Sequence, residues 1–235
     1  MKWVLVTGGA KGVGEAISYA LASEGHSIAV HYRNSKLDAQ RVAEKCRQIG
    51  VQSEIIQGDF STIPDLKTFV ENYKNRFNDT KAIIHNVGKY LILPLLETSL
   101  EGLSDLFQEN FLSPFYITKS LLSSLIASRG SIIHIGETGV AKGGPKREAP
   151  AYFMSKEALW QLTRSYALEL APYGVRVNMV SPGILENTID SETKNLPMKR
   201  AGKLEEIASL VAFLLREENH YITGQNIEVA GGFGL

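Results

Sequence analysis

Cysteine is almost missing: Cys46 is the only one in 235 residues. An internal disulfide and a cysteine-built metal cluster are therefore both excluded. The five histidines, His26, His31, His85, His134 and His220, do not fall at ligand spacing, so no metal site is expected. Charge of one sign is missing as well. The 25 basic residues balance 25 acidic ones, leaving a formal net charge of zero and no electrostatic footprint for nucleic acid or an anionic membrane. No apolar run approaches the roughly 20 residues that a membrane-spanning helix needs. The apolar stretch after Lys2 is too short for the core of a secretory signal and runs straight into glycines. A soluble, cytoplasmic chain is the expectation. Repeats, low-complexity tracts and linkers are not found, and the length suits one domain, residues 1–235, with a substantial core.

What is there is a regular alternation. Short β-rich runs at Trp3–Val6, Ser27–Tyr32, Gln52–Ile56, Ala82–His85, Ser131–Ile135, Val175–Val180 and Asn226–Val229 are separated by helical patterns near 14–24, 36–49, 64–77, 101–126, 152–171 and 203–216. This predicts an α/β, doubly wound domain: a seven-stranded parallel sheet with helices on both faces. Ligands bind such sheets outside the carboxyl ends of the strands, near the topological switch point. Two long polar loops, Glu137–Pro150 and Glu186–Lys203, follow strands on that side and are expected to rim a substrate site.

The segment Thr7-Gly8-Gly9-Ala10-Lys11-Gly12-Val13-Gly14 joins the first strand to the first helix. Glycines permit positive φ and a close backbone approach, while a helix start offers free N–H groups and a positive dipole end to an anion. The phosphates of a dinucleotide are the natural ligand. Far downstream, Tyr152 and Lys156 stand four apart at a helix start and project from one face. A phenol titrates near 10 and is a poor acid–base group at neutral pH. A neighbouring ammonium favours its ionised form.

With these two features together, the chain resembles the classical short-chain dehydrogenase/reductases along essentially its whole length, which implies a Rossmann-type fold with a cofactor half at about 1–90 and a catalytic and substrate half at about 91–235. By that resemblance Gly8, Gly12 and Gly14, with Lys11 and Val13 between them, bind the cofactor, and Asp59 and Phe60 meet its adenine. Asn86 and Gly88 match the segment after the fourth strand, and Asn110 the helix residue that supports a water and lysine relay. Tyr152 and Lys156 fall on the catalytic pair, and Pro182, Gly183 and Ile184 on the turn that meets the nicotinamide. Asn187 takes the place of a threonine that commonly touches the diphosphate, with Thr188 one residue later. The resemblance implies hydride transfer from a nicotinamide with Tyr152 supplying a proton. Lys156 would tune that phenol and hold the ribose, and Tyr152 as well as Lys156 would count among the cofactor-binding residues. It also implies a homotetramer.

An NAD enzyme usually places an acid after its second strand for the ribose 2′-hydroxyl. This chain has Arg33-Asn34-Ser35 there and no acid until Asp38. Arg33, supported by Lys11, suits a 2′-phosphate, with Asn34 and Ser35 also expected to bind the cofactor, so NADPH is the expected cofactor.

The chain departs from the family after the fifth strand, where a serine usually holds the substrate carbonyl. Counting along the strand puts Glu137 in that place, with Thr138 beside it. A carboxyl group there resembles the aspartate of pteridine reductases and dihydromonapterin reductases, and it suits reduction of a C=N bond. Tyr90 would supply an aromatic face against the pterin. The C-terminal third resembles a 3-oxoacyl-carrier-protein reductase at least as much. Three readings follow: an NADPH-dependent dihydropteridine reductase using Glu137, a reductase of 3-oxoacyl thioesters or other carbonyls using Thr138, and a catalytically silent NADPH-binding sensor or scaffold.

Overall fold

A computed structural model describes residues 2–188 and 196–234. Seven parallel strands form one sheet: β1 (Trp3–Val6), β2 (Ser27–Tyr32), β3 (Ser53–Gln57), β4 (Thr80–His85), β5 (Ser131–Ile135), β6 (Arg176–Pro182) and β7 (Asn226–Val229). Their order is β3-β2-β1-β4-β5-β6-β7, so the winding reverses between β1 and β4. The expected strands are all present, with β3 shifted one residue later and β6 extended to Pro182.

Period-two side-chain alternation divides the core between the sheet's faces. Val4 and Val6 of β1, with Ile28 and Val30 of β2, pack against α1 (Gly12–Ser23), α2 (Lys36–Ile49) and the α8 helix (Leu204–Leu215). Leu5, Ala29, Ile83, Ile132 and Val177 point the other way. They pack under α3 (Ile63–Arg76), α5 (Ser113–Ser120), α6 (Leu122–Ser128) and α7 (Pro150–Leu170). Strands covered on both faces read as continuous apolar runs, as these do. The chain is a single Rossmann-type domain with helices on both faces. No described helix is long and apolar enough to cross a membrane.

The largest difference from expectation lies at 101–126, read as one helix. It is α4 (Leu100–Phe107), a π-turn at Gln108–Leu112, then α5 and α6. Pro114 at the start of α5 lacks the N–H that a continuous helix would use, one local reason for the interruption. Helix α7 begins at Pro150, directly after Ala149 in a left-handed conformation (φ +51°). A Cβ-bearing residue held there costs on the order of 1–2 kcal/mol. Of the expected 186–203 loop, residues 189–195 lie outside the described residues.

Candidate active site

The carboxyl ends of β1 and β4 are stitched together at the switch point. Thr7 Oγ1 donates to Ile84 O at 3.2 Å and accepts from Asn86 N at 2.8 Å. Asn86 Nδ2 donates back to Thr7 O at 3.0 Å and to Gly8 O at 3.2 Å. This fixes the glycine turn, in which Gly8 (φ +62°) and Gly12 (φ +55°) take conformations that L side chains avoid. At Gly14 the constraint is space: an added Cβ would lie 2.2 Å from Gly8 O and 2.7 Å from Asn86 Nδ2. Asn187 reaches over the same turn, its Nδ2 3.2 Å from where a Gly12 Cβ would stand. A bare cradle at a helix start, roofed by an amide donor, fits a diphosphate.

His31 braces this cradle. Its Nδ1 accepts from Gly8 N at 3.0 Å, so Nε2 carries the hydrogen and donates to Gly58 O at 3.2 Å. The ring stacks on Phe60 at 4.3 Å, and burial brings its pKa down to about 4, which keeps it neutral as the acceptor role requires. Its position on β2, two residues before Arg33, was the available signal. Arg33 Nε lies 3.1 Å from Asp59 Oδ2, while Lys11 Nζ pairs with Asp38 at 3.0 Å. Asn34 and Ser35 complete the turn into α2. Gly183 is held by its N–H to Val229 O at 3.1 Å, and an added Cβ would meet Ala230 at 2.8 Å. Ile184 O accepts from Gly202 N at 2.9 Å, and Pro182 O takes up a partner from β5's side.

That partner is Thr138. Its hydroxyl donates to Pro182 O at 2.8 Å, and the residue is buried. Glu137 instead faces the catalytic pair: Tyr152 Oη donates to Glu137 Oε2 at 3.1 Å. Burial raises the Glu137 carboxyl above the usual range, against the lowering pull of the Tyr152 hydrogen bond and Lys156. Burial also pushes the Tyr152 phenol well up, and the Glu137 charge pushes it further. Lys156 Nζ lies 5.8 Å from the Tyr152 ring centre and donates to Ile135 O at 2.8 Å. Burial brings its pKa down to about 8. Thus the phenol's environment is set by burial and a carboxylate, where sequence reasoning expected the ammonium to dominate.

Asn110 sits in the π-turn. Its Oδ1 accepts from Lys89 N at 2.7 Å, and its Nδ2 donates to Lys89 O at 3.0 Å and to Ser155 Oγ at 2.8 Å. Ser155 Oγ in turn donates to Tyr152 O at 2.6 Å. The β4 loop is thereby tied to the helix that carries Tyr152. Ser155 went unnoticed in the sequence although it directly precedes Lys156. Gly88 allows the approach, since an added Cβ would be 3.3 Å from both Asn110 Oδ1 and Lys156 Nζ. Tyr90 meets Tyr152 edge to face at 4.5 Å and 86°, and is 61% exposed. Glu137, Tyr152, Lys156, Asn110 and Tyr90 therefore form one corner, and the Thr138 hydroxyl faces away from it. Among the described residues no group of three or more His, Cys, Asp or Glu could hold a metal ion.

Residues 8–234 match the family described as Enoyl-(Acyl carrier protein) reductase. The chain is 31% identical to a 3-oxoacyl-[acyl-carrier-protein] reductase of Staphylococcus epidermidis, over 98% of each chain. It is also 31% identical to an uncharacterized oxidoreductase of Bacillus subtilis, over 99% of this chain and 98% of the other. Among solved structures, a blue fluorescent protein from a metagenomic library in complex with NADPH superposes with TM-score 0.92 at 30% identity, covering 100% of this chain and 98% of that one. An acetoin dehydrogenase of Salmonella typhimurium superposes with TM-score 0.92 at 31% identity, covering 99% and 97%. With the glycine cradle, the Tyr152–Lys156 pair and these likenesses over its full length, the chain belongs to the classical short-chain dehydrogenase/reductases and is an oxidoreductase built for a nicotinamide cofactor.

Proposed function

We propose that this enzyme is an NADPH-dependent reductase of a ring C=N bond, with a dihydropteridine such as dihydrofolate, dihydrobiopterin or dihydromonapterin as substrate. One observation carries the reading: the group that meets the Tyr152 hydroxyl from the serine's usual place is the Glu137 carboxyl, while the neighbouring hydroxyl of Thr138 is committed to Pro182 O. A carbonyl ends the reaction with a proton on a weakly basic oxygen, for which the tyrosine and a neighbouring hydroxyl suffice. An imine nitrogen is basic and must end the reaction with an added proton, which a carboxyl of raised pKa is suited to deliver or steady.

When bound, a dihydronicotinamide supplies the hydride that reaches the carbon of the C=N bond. Tyr152 gives its hydroxyl proton to the nitrogen, and Glu137, within hydrogen-bond reach, returns a proton to the phenolate. Lys156 offers a buried ammonium to the ribose hydroxyls and to the charge that develops on Tyr152. Asn110 and Ser155 hold the loop and helix at a fixed separation. Tyr90 leaves ring surface exposed for a flat heterocycle. The cradle with Arg33 and Lys11 takes the diphosphate and the 2′-phosphate.

A second reading, reduction of a 3-oxoacyl thioester, is favoured by the staphylococcal relative. Loss of NADPH absorbance separates the two when dihydrobiopterin or dihydromonapterin is compared with an acetoacetyl thioester. Turnover of the pterin should fall about 100-fold in Glu137→Gln. Glu137 holds its proton below its raised pKa, so wild-type kcat should decline as pH rises through that value, above the ordinary carboxylate range. Glu137→Gln should lose that decline and keep the one from Lys156, moved from near pH 8 to lower pH because the Glu137 charge that holds the ammonium up is gone. Thioester turnover alone, indifferent to Glu137→Gln, would overturn the assignment.

A further inference from the structure

Arg33 is not free to meet a phosphate without cost. Besides Asp59 at 3.1 Å, its Nη1 lies 3.9 Å from Glu109 Oε1. The two carboxylates come from different elements, Asp59 from the loop after β3 and Glu109 from the π-turn after α4. Asp59 is engaged locally, accepting from Ser61 N at 2.9 Å. Glu109 is different in kind. Its side chain is only 13% exposed, against 51% for Arg33. Burial raises its carboxyl, and the charges it feels are Arg33, Lys89, Asp59 and Asp105. Its backbone is pinned on both sides. Gln108 Nε2 donates to Phe60 O at 3.0 Å, Asn110 holds Lys89, and Ser113 Oγ donates to Glu109 O at 2.6 Å. The carboxylate is thus held in place beside the guanidinium that a 2′-phosphate would use.

We propose that Glu109 is a specificity-determining residue of the cofactor site, one that competes with the 2′-phosphate of NADPH for Arg33 and so narrows the preference for NADPH over NADH. A 2′-phosphate arriving at Arg33 must displace the Glu109 contact and then sit near a second anion. NADH brings the same diphosphate but no 2′-phosphate, so it meets neither penalty. The effect is modest because Arg33 is half exposed and solvent screens it. The inference rests on Arg33 being the group that meets the 2′-phosphate, and the test separates the two.

Dissociation constants of NADPH and NADH are measured by fluorescence of the reduced nicotinamide at fixed ionic strength, for the wild type and for Glu109→Gln, Glu109→Ala, Arg33→Ala and the Arg33→Ala/Glu109→Gln double variant. Glu109→Gln should tighten NADPH about three- to tenfold and leave NADH within twofold, with Glu109→Ala moving the ratio the same way. In the Arg33→Ala background the Glu109→Gln gain should shrink to under twofold, because the effect passes through Arg33. If Glu109→Gln changes both affinities equally, or weakens NADPH, the carboxylate serves the adenosine as a whole and the proposal falls. If Arg33→Ala leaves the NADPH-to-NADH ratio unchanged, the reading of Arg33 fails, and the proposal fails with it. A ratio that drops in Arg33→Ala yet stays fixed in Glu109→Gln sinks the Glu109 proposal alone.

Discussion

The turn after β1 and the corner after β5 face the same groove but are made of different material. At the first, the surface is backbone: Gly8, Gly12 and Gly14 leave it bare because a Cβ has no room or no allowed conformation, and Gly8 N–H is itself committed to His31. At the second, the surface is side chains: Glu137, Tyr152 and Lys156 meet across three elements, and their protonation follows from burial. A site made of backbone tolerates almost no change of residue type and carries little chemical variety. A site made of side chains keeps its frame while one substitution, such as glutamate where a hydroxyl is usual, changes the chemistry on offer.

That contrast can be broken at its strongest point by Tyr152→Phe. Turnover should drop about 1000-fold, the range for removing a general acid, while the dissociation constant of NADPH stays within about twofold of wild type, since Tyr152 is assigned to proton transfer. A comparable loss of cofactor affinity would mean that the two regions are one. Gly14→Ala tests the other side. With a methyl group forced to within 2.2 Å of Gly8 O, dinucleotide affinity should fall ten- to 100-fold and the protein should lose about 1–3 kcal/mol of stability, read by titration and by chemical denaturation. Unchanged binding would show that the cradle has slack. The smallest effect belongs to Thr138→Val, which removes the hydroxyl given to Pro182 O. Stability should fall by about 1 kcal/mol and kcat should stay within about twofold. A large loss of kcat would place Thr138 in the chemistry after all.

The same contrast explains what could be read from the sequence. The seven strands and the glycine turn were legible because burial on both faces and the demand for positive φ act on residue type directly. Tyr152, Lys156 and Asn110 were legible as residues. Which of Glu137 and Thr138 faces Tyr152 was not, because adjacent residues differ there only in direction, and direction is decided by the Thr138 bond to a β6 carbonyl more than 40 positions away in sequence. The contacts of His31 and Glu109 were not legible for a related reason. Their partners, Gly8, Gly58 and Arg33, lie on other elements, so the contacts themselves do not show in the neighbouring sequence.

The interruption between α4 and α5 has a consequence for how this groove can change. A π-turn holds one more residue than a regular turn, so it offsets the helix before it against the helix after it by about 100°. Gln108, Glu109 and Asn110, consecutive in the chain, thereby touch the loops after β3, β2 and β4 respectively. Successive side chains still fan out around the axis there, so the three reach different loops around one groove. Removing a single residue here would turn all three contacts away together, whereas exchanging any one of them leaves the other two in place. The segment is thus a junction whose parts are individually replaceable but whose length is not.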